Sequence, residues 1–169
     1  MKYFLLILTT IIIATGCKND KSETCATGRP LPIFTKNMQI VKEHKFTSQG
    51  QSSQEEISLS NGIKLEIYQQ GCDTLNQSFR FGYNHRIKRD SFVVVVDSAI
   101  SQFKFLSKSD EKLKAFALWS DALTQIRNFA NQGELINLGQ GINLKIDHLE
   151  QAERSTILID VMQISSTHK

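Results

Sequence analysis

The chain has 169 residues, 40% of them apolar and 22% charged, values of a globular protein rather than a disordered or fibrous one. Nine Gly and two Pro exclude collagen-like, Pro-rich and Gly-rich architectures. The formal charge of +3, reduced by one if Lys2 is removed, is too small to imply a polyanionic partner.

Met1–Lys2 is a short basic start, and Tyr3–Ala14 (YFLLILTTIIIA) is an uncharged, largely apolar run of 12 residues. At about 1.5 Å per residue the run spans about 18 Å, short of the ~30 Å hydrocarbon core. It therefore reads as the apolar region of a signal peptide rather than a membrane span. Removing Met1–Gly16 leaves 153 residues, enough for one domain with its own core.

Ala14-Thr15-Gly16 followed by Cys17 resembles the lipobox of bacterial lipoproteins, with Ala14 where Leu is usual. The resemblance implies that Cys17 becomes the acylated first residue, carrying a diacylglycerol and usually an amide-linked chain, which suffices for stable anchoring. Lys18 follows, not the Asp that retains many enterobacterial lipoproteins in the inner membrane. The charged stretch Lys18–Glu23 is loosely similar to that of Bacteroidetes-like lipoproteins. The expected address is the cell envelope, at the outer membrane, on either face. The alternative is an ordinary secretory signal with an incidental cysteine.

With Cys17 given to lipid, Cys25 and Cys72 remain, and in an oxidising compartment two such thiols usually pair. A bridge closing about 48 residues stabilises by roughly 4 kcal/mol in the chain-entropy model. Free buried thiols or a link to another chain are the alternatives. No C-x-x-C or H-x₃-H spacing supports a metal site, and no cofactor is expected. A bridged Cys25, eight residues beyond Cys17, would hold the domain on a leash of about 25–30 Å.

Lys18–Pro32 is polar, then punctuated by Gly and Pro, and reads as the tether. Ile33–Phe46 suits a strand or a short helix equally. Thr47–Glu56 (TSQGQSSQEE) is polar and predicts a solvent loop. Two alternating runs, Ile57–Ser60 and Ile63–Ile67, then flank Asn61-Gly62, the strongest short hairpin signal. Phe79, Phe81 and Tyr83 alternate as a third strand. Between these, the Gln69–Asp73 corner bends at Gly71 and offers Cys72 to the tether.

Val93–Val96 has high β propensity, yet Phe92, Val96, Ala99, Phe103 and Leu106 step by three and four, predicting a helix over Ser91–Leu106 capped by Asp90 and Ser91. A second helix is expected with Ser109 as its N-cap and an apolar face of Leu113, Phe116, Ala117, Leu123, Ile126 and Ala130, ending at Gly133. Strands follow at Glu134–Leu138, Ile142–Leu149 and Thr156–Ile164, with a polar turn at Gln151–Arg154. Strands, two helices and strands again predict an α+β fold, an antiparallel sheet packed against two central helices. The organisation is a signal peptide at 1–16, an acylated tether at 17–32 and one domain at 33–169.

Chemical signals are sparse. Ser109-x-x-Lys112 and Ser101-x-x-Lys104 resemble the Ser-x-x-Lys element of penicillin-binding enzymes, but the other elements of those families are missing. Gly139-x-Gly141 lacks the third glycine and the following helix of a dinucleotide loop, so it reads as a turn. His44, His85, His148 and His168 are scattered, and His148 should face away from its neighbour Asp147 on a strand. A triad of a serine, His85 or His148, and Asp97 would have to assemble in three dimensions.

His85–Arg89 is the densest basic run, and residues 80–114 hold eight Lys/Arg against four Asp/Glu. Such asymmetry steers an acidic protein or anionic headgroups, unless it is only a solvated surface. Trp119 reads as a core aromatic or as an exposed anchor.

These residues predict a lipid-anchored, non-enzymatic protein that binds a macromolecule in the envelope, with no catalytic residue and with Arg86, Lys88, Arg89 and Trp119 as candidate contacts. Small exported lipoproteins include lysozyme inhibitors and toxin immunity proteins, so an inhibitor or immunity-like role is the concrete expectation, by analogy of size and location. An accessory subunit of an outer-membrane assembly or transport complex, and a small envelope hydrolase, are the alternatives. Nucleic acid is not an expected partner.

Overall fold

The Asn61-Gly62 pair turns the chain as its residue types require. Gly62 takes φ +85°, the Asn61 side chain accepts from the Ile63 amide at 3.2 Å, and Leu59 and Ile63 close the hairpin at 2.9 Å. The computed structural model describes residues 30–71, 76–88 and 91–163. The expected signal peptide, Cys17, Cys25, Cys72, Asp73, Arg89, Asp90, Ile164 and His168 lie outside the described residues.

Seven strands form one antiparallel sheet: β1 (Val41–Gln49), β2 (Ser52–Leu59), β3 (Lys64–Gln70), β4 (Asn76–Tyr83), β5 (Leu135–Gly139), β6 (Ile142–Gln151) and β7 (Arg154–Gln163). Helices α1 (Phe92–Ser109) and α2 (Phe116–Ile126) come between β4 and β5, with a 3₁₀ turn at Glu111–Leu113 between them. The spatial order β1-β2-β3-β4-β7-β6-β5 joins two meanders through β4 and β7, where Phe79 faces Ile159 and Phe81 faces Ile157. This is the α+β architecture predicted from the sequence.

Period-two alternation sends Ile57, Leu65, Ile67, Phe79, Phe81, Leu144, Ile146, Ile157 and Ile159 to one face, all buried. The two helices cover that face with Val96, Ala99, Phe103 and Leu106 of α1 and Phe116, Leu123 and Ile126 of α2. Phe103 is the centre: it meets Phe79 and Phe81 edge-on at 5.3 and 5.2 Å and stacks on Phe116 at 5.7 Å. The helical period thus prevails over the β propensity of Val93–Val96, and Ser91 caps α1 by accepting from the Val93 amide.

Two expectations are corrected. Thr47–Glu56 is not a solvent loop: β1 runs to Gln49, β2 begins at Ser52, and only Gly50 and Gln51 turn the chain, with Gly50 at φ +60°. The inward positions of this stretch are Ser53 and Glu55, buried polar residues that hide the alternation. The second helix neither starts at Ser109 nor ends at Gly133. Ser109 is the last residue of α1, and its hydroxyl donates to the Phe105 carbonyl at 2.6 Å; Asp110 caps only the 3₁₀ turn Glu111–Leu113, accepting from the Lys112 amide, and α2 starts at Phe116 without a side-chain cap. The helix stops at Ile126, although Ala130 still bonds the Ile126 carbonyl, and Gly133 donates to the Ile146 carbonyl instead.

Buried Glu55 anchors the segment that enters the sheet. Its carboxylate accepts from the backbone amides of Ile33 and Phe34 at 2.9 and 2.7 Å and from His44 Nε2 at 2.7 Å. Pro30 and Phe34 are buried, and the Leu31 carbonyl accepts from the Gln69 side chain at 3.2 Å.

Candidate functional site on the uncovered sheet face

No described helix packs on the opposite face of the sheet, and its side chains form ordered rows. One row runs through Lys45, Glu56, Glu66, Arg80, Leu158 and Asp147, and the next through Gln54, Tyr68, Ser78, Asp160, Lys145 and Leu135. Opposite charges meet within and between the rows. Lys45 reaches Glu56 at 3.6 Å, Arg80 reaches Glu66 at 3.8 Å, and Lys145 sits between Asp147 at 2.9 Å and Asp160 at 3.7 Å. The hydrogen bond and charge of Asp147, joined by Asp160, hold the Lys145 ammonium above its ordinary pKa.

Tyr68 organises the centre of this face. Its hydroxyl donates to Glu66 at 2.9 Å and accepts from Gln54 at 3.0 Å, while the Arg80 guanidinium lies over its ring at 4.5 Å. Partial burial, with the Glu66 hydrogen bond and charge, raises the Tyr68 pKa. These contacts hold Tyr68 and Arg80 in place.

The grooves that the described residues form on this face include two lined by an exposed leucine. One of about 500 Å³ is lined by Tyr68, Ser78, Lys145, Asp160 and Met162, with Leu135 at its rim. The other, of about 520 Å³, lies toward the β6–β7 turn and is lined by Lys64, Glu66, Arg80, Arg154, Leu149 and Leu158 among others. Leu135 and Leu149 are 55% and 56% exposed, so each groove carries an apolar side chain open to solvent.

The expected contact residues are dispersed. Arg86 is spent on the fold: its Nε donates to the Ala152 carbonyl at 2.6 Å, and the following Ile87 is buried with its amide on Ser155 Oγ. Lys88 is exposed beyond that staple. Trp119 is half-buried and packs against the core from α2, on the helical side of the molecule. A signal for the uncovered face lies in the alternation of Ile63–Ile67, which sets Lys64 and Glu66 opposite the apolar positions, but their cross-strand partners come from distant segments.

No triad assembles around Asp97. Arg127 holds both of its carboxylate oxygens, His85 stands exposed beside Asn84 at 3.2 Å, and His148 is buried on the helix-covered face, opposite Asp147. The hydroxyls of both Ser-x-x-Lys pairs bond backbone carbonyls one turn back, Ser101 to Asp97 and Ser109 to Phe105. Among the described residues no group of three or more His, Cys, Asp or Glu could hold a metal ion, and no helix is long and apolar enough to cross a membrane. Comparison with family models, with curated proteins and with solved structures yields no significant match to this chain.

Proposed function

We propose that this chain is a lipid-anchored protein of the bacterial cell envelope that binds another macromolecule, in an inhibitor-like or immunity-like role, through the uncovered face of its sheet. The observation that carries the reading is a wide antiparallel sheet with helices on one side only. Its open side presents ordered charges, a stacked Tyr68–Arg80 pair and two grooves with exposed leucines. Aromatic and arginine side chains fixed in place beforehand are what binding hot spots use. The lipobox-like Ala14–Cys17 sequence supplies the anchor in this reading.

Site-specific photo-crosslinking in cells tests it. A photoreactive residue at Ser78, on the uncovered face, should give a discrete adduct, and one at Gln125, on the outer surface of α2, should not. Adducts from Gln125 alone, or from neither position, would overturn the assignment.

A further inference from the structure

Gly82 lies on the uncovered face near the end of β4, the central strand of the sheet, between Lys64 of β3 and Thr156 of β7. Nothing in the backbone asks for glycine there, because Gly82 is absent from the positive-φ residues. Nor does crowding: a Cβ would meet only Lys64 Cβ and the Lys64 carbonyl, both at 3.6 Å, an ordinary contact distance. Glycine inside a strand weakens it, and it commonly marks a place where a ligand or another chain comes close. What the missing side chain does here is keep the 520 Å³ groove open.

The groove's walls define its occupant. Lys64, Arg80 and Arg154 contribute three cations against the single carboxylate of Glu66. Leu149 and Leu158 line it as well, Leu149 largely exposed. Glu66 and the Tyr68 ring hold Arg80 in position. The second groove starts two residues further along the same strands, at Tyr68, Ser78 and Asp160, so the two lie in line and suit an extended chain better than a compact ion.

We infer that the Gly82 groove binds an acidic, leucine-containing segment of a protein partner, its carboxylates on Lys64, Arg80 and Arg154 and its apolar side chain against Leu149 and Leu158. This rests on the uncovered face being the binding surface, and it names the part of that face and the chemistry of the partner.

The test uses the full chain in non-ionic detergent and a short fluorescent peptide of alternating Glu and Leu, read by anisotropy. The peptide should bind, and replacing its Glu by Gln should weaken binding by about tenfold or more. Gly82→Leu, which fills the groove, should abolish binding without lowering thermal stability. The double variant Lys64→Glu, Arg154→Glu should weaken it by about tenfold or more, independently of any effect of the leucine on folding. Equal binding of the Gln peptide, or undiminished binding by Gly82→Leu, overturns the inference. So does displacement of the peptide by a short-chain phosphatidylglycerol at lower concentration than unlabelled peptide, which would make the groove a lipid site. Should Ser78 still crosslink while Gly82→Leu binds the peptide unchanged, the groove assignment fails and the binding face stands.

Discussion

His44 on β1 and Glu55 on β2 form a 2.7 Å hydrogen bond at the edge of the core, and the same carboxylate holds the amides of Ile33 and Phe34. Glu55 is fully buried, so its removal strands two backbone donors and an imidazole together. Glu55→Ala should cost about 3 kcal/mol or more in urea unfolding. Limited proteolysis should then cut within residues 30–40, and a variant as protease-resistant as the parent would show that the segment is held by other contacts.

Phe103 contacts three other rings, and its removal leaves a cavity among them. Phe103→Ala should destabilise by about 3–5 kcal/mol, whereas Lys104→Ala, on the exposed side of the same helix, should change little. Equal effects of the two in chemical denaturation would place the core elsewhere.

Asp97 and Arg127 give a pH dependence with a defined sign. The Arg127 hydrogen bonds, aided by its charge and opposed by partial burial, hold the Asp97 carboxyl below its ordinary range. A carboxyl depressed in the folded state contributes stability above its unfolded pKa and loses it as pH falls through the folded pKa. Arg127→Ala should therefore raise the Asp97 titration midpoint seen by NMR and reduce the loss of stability on acidification. An unmoved midpoint would mean that the pair does not form in solution.

Ala152 takes φ +52° in the tight turn between β6 and β7, a conformation that costs a non-glycine residue about 1–2 kcal/mol. Ala152→Gly should raise stability by under about 1 kcal/mol once the greater freedom of glycine in the unfolded chain is counted. A lower melting temperature would show that the greater freedom of glycine in the unfolded chain outweighs the relieved strain.

The cysteines and the anchor are accessible to direct assay. The Gln69 side chain bonds the Leu31 carbonyl, which brings the chain after Cys25 beside the strand that leads to Cys72. Mass spectrometry without reductant should show Cys25 and Cys72 linked, and Cys25→Ser should cost roughly 4 kcal/mol; two free thiols would retire the bridge. Cys17→Ser should abolish acyl labelling and release the protein from membranes, and retention with label would remove the lipoprotein assignment.

Local chemistry carried much of the fold into view. The Asn61-Gly62 turn, the alternation of Phe79, Phe81 and Tyr83, and the three-four spacing from Phe92 to Leu106 each depend on neighbours in sequence, and each appears as expected. What was hidden depends on distant partners. Glu55 looks like a solvent residue until residues 33, 34 and 44 arrive to satisfy it. Ser109 looks like a cap, but α1 runs through it and α2 starts only at Phe116. The candidate site was hidden for the same reason: Arg80 and Glu66 meet only when β3 and β4 pair, and Arg154 and Leu149 join them only through β7. Of the basic run that drew attention in the sequence, Arg86 fastens a loop.

β7 lies in the interior of the sheet, between β4 and β6, and brings the two meanders together. Until Arg154–Gln163 is present, β4 and β6 each have an open edge and the helices rest on half a floor. The sheet is complete only once Arg154–Gln163 is in place. If the chain is exported as proposed above, the incomplete sheet leaves its earlier segments without the pairing that would lock them during passage through a secretion channel.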